Sequence, residues 1–212
     1  MKRNLPKMIA LVVIALFAFT ACEKVGNQGP KHEYVDLGLS VKWATCNVGA
    51  ETPEAYGDYF AWAEIQPKES YDWETYAYGL ELKKYNKKDS LNVIEPVDDV
   101  ATATWGENWR IPTKEEQEEL MNNCKWRWTE QNGVYGYLVM SKINGNSIFL
   151  PAGGHKNKAQ VNKAGDSGFY WSSSIHESSK GSAIIMYFYS GKTEQTVNNR
   201  YLGATIRPVR TK

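Results

Sequence analysis

Cysteine and histidine are both scarce in this chain, with 3 of each in 212 residues. A structural zinc site needs four ligands at short, regular spacings, and neither residue type supplies them. His32, His155 and His176 stand isolated from one another and read as surface side chains. Net charge is nearly missing as well: 25 basic residues against 24 acidic ones leave +1. That balance speaks against nucleic acid as a partner, which would favour a basic patch. No apolar run is long enough to span a bilayer. The longest, residues 8–19, is about twelve residues, short of the roughly 20 a spanning helix needs.

That short run is nevertheless informative. Lys2, Arg3 and Lys7 precede it, and Phe19-Thr20-Ala21-Cys22 follows it. A basic start, a short apolar stretch and a small residue at the end describe an export signal. A small residue directly before cysteine is what a lipoprotein signal peptidase cleaves, and the thiol then carries the lipid. Phe19 stands where leucine is usual. Residues 1–21 are therefore expected to be a lipoprotein signal peptide, Cys22 the lipidation site, and the polar residues 22–32 a tether. Residues 33–212 form the domain. Losing Lys2, Arg3 and Lys7 takes the formal charge from +1 to −2. The expected location is the cell envelope, lipid-anchored at the outer membrane and exposed at the surface. With Cys22 lipidated, Cys46 and Cys124 are left either to pair in an oxidising compartment or to remain as two buried thiols.

Residues 34–48 hold two short strand-like runs around Leu37-Gly38, with Val41 and Trp43 alternating. Residues 66–96 are polar, aperiodic and rich in Tyr and Lys. They read as a long surface excursion with a short strand near 82–85. Asp98-Asp99 suits the start of a helix over 100–104. Thr113 and Glu116 form a capping box, and Gln117, Leu120, Met121 and Cys124 then fall on one helical face. Asn132-Gly133 marks a turn, and residues 137–141 and 147–150 read as a hairpin around Asn144-Gly145. Residues 169–174, 182–190 and 203–209 are strand-like. The expected class is α+β: short strands with one or two helices. Trp43, Trp62, Trp105, Trp109 and Trp171 are expected in the core.

Six segments in this order resemble a known family. They are Tyr34-Val35-Asp36-Leu37-Gly38-Leu39-Ser40-Val41-Lys42-Trp43-Ala44, Tyr56-Gly57-Asp58-Tyr59-Phe60-Ala61-Trp62, and Trp105-Gly106-Glu107-Asn108-Trp109-Arg110-Ile111-Pro112-Thr113. Gly145-Asn146-Ser147-Ile148-Phe149-Leu150-Pro151-Ala152, Tyr170-Trp171-Ser172-Ser173-Ser174 and Ile206-Arg207-Pro208-Val209 complete the order. Together they resemble the Fibrobacter succinogenes major paralogous domain family, common in lipoproteins of Bacteroidetes-type bacteria. That family is similar to the C-type lectin-like fold and more distantly to the formylglycine-generating-enzyme fold. The resemblance implies paired N- and C-terminal strands and a variable face built from the C-terminal half. Fold alone does not assign an activity.

The chemistry associated with such folds finds little footing here. Calcium-dependent sugar binding needs an oxygen-rich loop, but Glu95-Pro96-Val97 and Gln66-Pro67-Lys68 both lack its third oxygen ligand. Gly165-Asp166-Ser167-Gly168 imitates a serine-protease nucleophile loop but reads as a turn before a strand. The last cysteine, Cys124, comes too early for formylglycine-generating chemistry. Asp89-Ser90-Leu91 resembles an O-glycosylation acceptor of Bacteroidetes-type bacteria. No enzymatic activity, cofactor or metal is expected. The expected function is a non-enzymatic binding or adhesive module for a glycan or protein ligand, the membrane being reached only through the lipid. A structural or accessory subunit of a pilus or envelope complex is the alternative. His155, Asn157, Tyr170, Ser173, His176, Tyr187, Tyr189, Asn199 and Tyr201 are the candidate ligand-binding residues, because Tyr, Ser and Asn on late strands and loops suit a paratope-like face.

Overall fold

Both early strand-like runs form strands. Tyr34–Val35 (β1) and Val41–Ala44 (β2) pair antiparallel in the computed structural model, which describes residues 32–211. The signal peptide, Cys22 and residues 22–31 of the tether lie outside the described residues. His32, expected in the tether, belongs to the fold: its ring stacks on Trp105 with centroids 3.7 Å apart. It is therefore not a free surface histidine, and burial lowers its pKa. Val41 and Trp43 turn inward from β2. The last strand, Val209–Thr211 (β12), pairs with β2 on one side and with Trp109–Arg110 (β3) on the other. The N-terminal hairpin and the C-terminal strand thus share one sheet, in the order β1-β2-β12-β3.

Two helices follow from their caps. Asp99 accepts from the Ala101 and Thr102 N–H groups and starts Val100–Trp105 (α1). The Thr113–Glu116 capping box is complete and starts Lys114–Asn123 (α2). Gln117 and Leu120 are the buried residues of α2. Cys124, expected on that helical face, instead opens Cys124–Gln131 (β4). Asn132 and Gly133 both take positive φ and turn the chain into Val134–Ser141 (β5), followed by Ser147–Pro151 (β6). Positive φ at both central residues suits the twist of a tight hairpin.

His155–Asn157 (β7) and Gln160–Asn162 (β8) make a small hairpin. The remaining sheet is Ser167–Ile175 (β9), Ser182–Tyr189 (β10) and Lys192–Asn199 (β11), in the order β11-β10-β9. Every residue of β9 is buried. Its outer edge is covered by bridges from Gly168 to Gly154, Tyr170 to Thr205 and Ser174 to Val93. Covering an edge in this way removes a template for aggregation. Trp171 and Ile185 face one core cluster, with Trp62, Ala204 and Ile206. Tyr170, Met186 and Phe188 face another, with Trp43, Leu120, Val139 and Leu150. The described residues are mostly β, in small antiparallel sheets with two α-helices, and include no helix long and apolar enough to cross a membrane.

Several expectations change. Residues 66–96 contain no strand at 82–85, and Tyr71, Tyr76 and Tyr85 are buried, so this segment is not merely a surface excursion. The expected strand over 203–209 is irregular chain held by single bridges, and regular pairing starts only at Val209. Trp43, Trp62, Trp109 and Trp171 are core residues, but Trp105 ends the short α1 and is only half-buried. Cys46 and Cys124 are free thiols, so the disulfide is not formed. Cys124 lies in the apolar cluster with Leu120 and Val41, where burial pushes its thiol up to about 11. Cys46 lies in the loop after β2, beside the Thr45 hydroxyl.

Candidate ligand-binding face

The register of β9, β10 and β11 creates a row of rings. Tyr187 lies opposite Phe169 on β9 and opposite Glu194 on β11. Tyr189 lies opposite Ser167 and Lys192. Directly paired residues project to the same face of a sheet, and so do residues two apart. The Gly154–Gly168 bridge brings β7 alongside, and the His155 ring meets Phe169 at 4.6 Å. Phe169 meets Tyr187 at 4.7 Å, and Tyr187 meets Tyr189 at 5.7 Å. The row runs outward from buried Phe169 to Tyr189, which is 40% exposed. A Lys192–Glu194 ion pair of 2.8 Å borders it.

His155 anchors the inner end of the row. It is half-buried, and its Nδ1 is buried without a protein partner. Burial, reinforced by the Lys163 charge, pushes its pKa below the ordinary imidazole value. The ring is therefore neutral at pH 7, and its faces are available for apolar and CH–π contact.

Three of the nine expected residues are thus brought together: His155, Tyr187 and Tyr189. Their link, Phe169, escaped the sequence reading. Its partnership with Tyr187 exists only through the strand register.

The other six do not join them. Tyr170 is buried: its hydroxyl donates to the Pro151 carbonyl at 2.8 Å and its ring stacks on Phe188. Ser173 is buried too, and its backbone N–H and C=O are held by Pro112 and Ile94. Neither can touch a ligand, because β9 is covered on both faces. His176, Asn199 and Tyr201 gather at the far end of the sheet. The His176 N–H donates to the Ser182 carbonyl, and Asn199 pairs with Ser182. The Asn199 amide reaches the Tyr201 hydroxyl at 3.4 Å, and Tyr201 meets Trp73 at 5.0 Å. Ser182 and Tyr189 are opposite ends of β10, roughly 23 Å apart at the rise of an extended strand. Asn157 sits on the β7–β8 hairpin beside a shallow depression of about 450 Å³ with Lys158 and Gln160.

The remaining sequence motifs resolve into structural roles. Gly165-Asp166 closes the turn into β9, where Ser167 and Gly168 are already paired: Asp166 N–H donates to the Lys163 carbonyl, and Ser167 is buried. Asp99 caps α1. Asp98 accepts from Lys84 Nζ at 2.6 Å and from the Tyr85 hydroxyl. Among the described residues no group of three His, Cys, Asp or Glu side chains could hold a metal ion.

Comparison with family models, with curated proteins and with solved structures finds no match to this chain.

Proposed function

We propose that the protein is a cell-envelope lipoprotein whose C-type lectin-like domain binds a glycan or protein ligand without chemistry, through His155, Tyr187 and Tyr189, whose rings the buried Phe169 holds in one row. The observation that carries this reading is the row itself. Aromatic side chains give rigid, amphipathic contact at low entropic cost, and Tyr hydroxyls add hydrogen bonds. A row mounted on paired strands is better preorganised than one on loops. The family resemblance supports the same reading, since it places variable, ligand-facing loops in the C-terminal half. A lipid on Cys22 would supply the membrane attachment.

The test is a glycan array probed with soluble residues 23–212, with calcium and with a chelator. The expected result is a chelator-insensitive hit that weakens by about tenfold in Tyr189→Ala, as for an aromatic at the centre of a contact. Loss of binding on chelation would sink the direct-contact reading. No glycan hit, together with a stable copurifying partner, would turn it toward an envelope-complex subunit.

A further inference from the structure

The Tyr- and Lys-rich excursion of residues 66–96 carries a second concave feature, far from aromatic in character. Residues 81–88 and 178–180 enclose a depression of about 710 Å³. Lys83, Lys87, Lys88 and Lys180 line it, with Asn86 and Ser178 between them. Glu81 is the one carboxylate in its wall, and Leu82 the one apolar side chain. Four lysines against one glutamate leave a local charge of +3, in a chain expected to carry −2 after processing.

The lysines are not consumed by the fold. Lys84, their neighbour, is tied to Asp98 and Glu95 at 2.6 Å each. Among the described residues no ion pair engages Lys83, Lys87 or Lys88, and the three are exposed. Lys180 donates to the Asn92 amide oxygen, which leaves its charge uncompensated by that contact. The Asp89 carboxylate lies near Lys180 and accepts from the Asn86 and Leu91 N–H groups; counted with Glu81 against the four lysines it leaves the surroundings at +2.

The backbone that presents them is held in place. Leu82, Tyr85 and Ser90 all take positive φ, at 50°, 58° and 57°. Non-glycine residues adopt that region at a cost, and only where surrounding contacts over-determine it. At Tyr85 the contact comes from buried Arg200, whose guanidinium donates to the Lys84, Tyr85 and Lys180 carbonyls, and at Leu82 from the Gly79 carbonyl and the Asn86 amide. One side chain therefore fixes both walls of the depression.

We infer that this lysine-lined depression binds an acidic glycan, recognising its sulfate or uronate groups. A concave surface with one sign of charge concentrates multivalent anions. Lysine ammonium groups suit point charges and Ser178 suits a sugar hydroxyl, while the Asn86 amide, which donates to the Leu82 carbonyl and accepts from Lys88 N–H, holds the loop that presents them. The wall holds no aromatic ring on which a base could stack, which sets it apart from single-stranded nucleic-acid sites. The site shares no residue with the ring row and does not depend on it.

The test is calorimetric titration of the full-length chain, held in mild detergent. The probes are a sulfated tetrasaccharide, a tetragalacturonate and a neutral tetrasaccharide of equal length. Inorganic sulfate and glycerophosphoglycerol, a soluble phospholipid headgroup, serve as competitors. In Tyr189→Ala, where the ring row is disabled, at least one acidic tetrasaccharide should bind and the neutral one should not. Which of the two acidic probes binds tells sulfate from uronate recognition. The triple variant Lys83→Ala/Lys87→Ala/Lys88→Ala should bind about tenfold or more weakly, and so should the native chain when NaCl is raised from about 0.05 to about 0.5 M. Tyr189→Ala should bind as tightly as the native chain, so failure of the ring row and failure of this site are distinguishable. The salt arm needs no variant and stands even if the triple variant does not fold. Equal binding of the neutral sugar by Tyr189→Ala, no binding of either acidic one, an unaffected triple variant, or displacement by sulfate or glycerophosphoglycerol as effective as by the oligosaccharide would each overturn the inference.

Discussion

Asp99 gathers three backbone N–H groups from two pieces of chain on a single carboxylate. Its Oδ1 accepts from the Ala101 and Thr102 N–H groups, and its Oδ2 accepts from Ile111 N–H at 2.8 Å. It therefore starts α1 and also fastens the segment that follows β3. Only 3% of the residue is exposed. Burial pushes its carboxyl above the ordinary range, while the three N–H groups and the Arg110 charge pull it back. Two substitutions separate these effects. Asp99→Ala removes the acceptor and orphans buried N–H groups, which should cost about 2 kcal/mol. Asp99→Asn keeps one acceptor oxygen and gives up the burial of charge, so it should cost less than the alanine change. Urea denaturation of both variants reads the difference. Equal losses would mean that the one oxygen Asn retains contributes nothing measurable and that the contacts depend on the charged carboxylate.

At the level of elements, β9 is where the fold is tightest. A Cβ on Gly168 would overlap the outer edge of the Phe188 ring, which packs on that spot from the neighbouring strand β10. Gly168→Ala should therefore cost about 2 kcal/mol through overpacking and lower the midpoint of thermal unfolding. An unchanged midpoint would show that Phe188 can move away freely. This strand also explains what the sequence could and could not disclose. Local signals were legible because their chemistry is local: the Thr113–Glu116 box, the Asp99 cap and the Asn132-Gly133 turn all lie within a few residues. Strand β4 was legible too, in the alternation of Trp126 and Trp128 with Lys125 and Arg127, but the sequence reading passed over it. The faces of β9 were not legible. Alternation tells which residues share a face, yet a strand buried on both faces gives no polar side to mark the outside. Tyr170 and Ser173 consequently looked available, and Phe169, one residue away, did not look like the hinge of a ring row.

Across the whole molecule, the least legible feature is the docking of residues 66–96, and its key is a residue far away in sequence. Arg200 lies fully buried, and among the described residues no carboxylate forms an ion pair with it. A desolvated cation is costly, and here the compensation is local. Its Nε donates to the Tyr76 hydroxyl at 2.7 Å, its Nη groups donate to three backbone carbonyls, and Trp62, Tyr76, Tyr78 and Tyr85 surround it at 4.8 to 5.7 Å. Cation–π contacts gain strength when desolvated. In the sequence Arg200 follows Asn198 and Asn199 in a polar run, and the tyrosines it holds are scattered through an aperiodic segment. Nothing in either stretch announces the other. Arg200→Met keeps the side chain's bulk and removes its donors, leaving Tyr76 and the carbonyls of Lys84, Tyr85 and Lys180 to find water. Opening the excursion is the nearest way to do so. Amide hydrogen exchange over residues 76–90 should accelerate about a hundredfold, equivalent to about 3 kcal/mol, while exchange in α2 and β5 stays at native rates. A uniform acceleration throughout would instead make the excursion part of one cooperative core. Local opening should also disperse Lys83, Lys87 and Lys88, so Arg200→Met would weaken binding of an acidic glycan while leaving the ring row of β7, β9 and β10 in place.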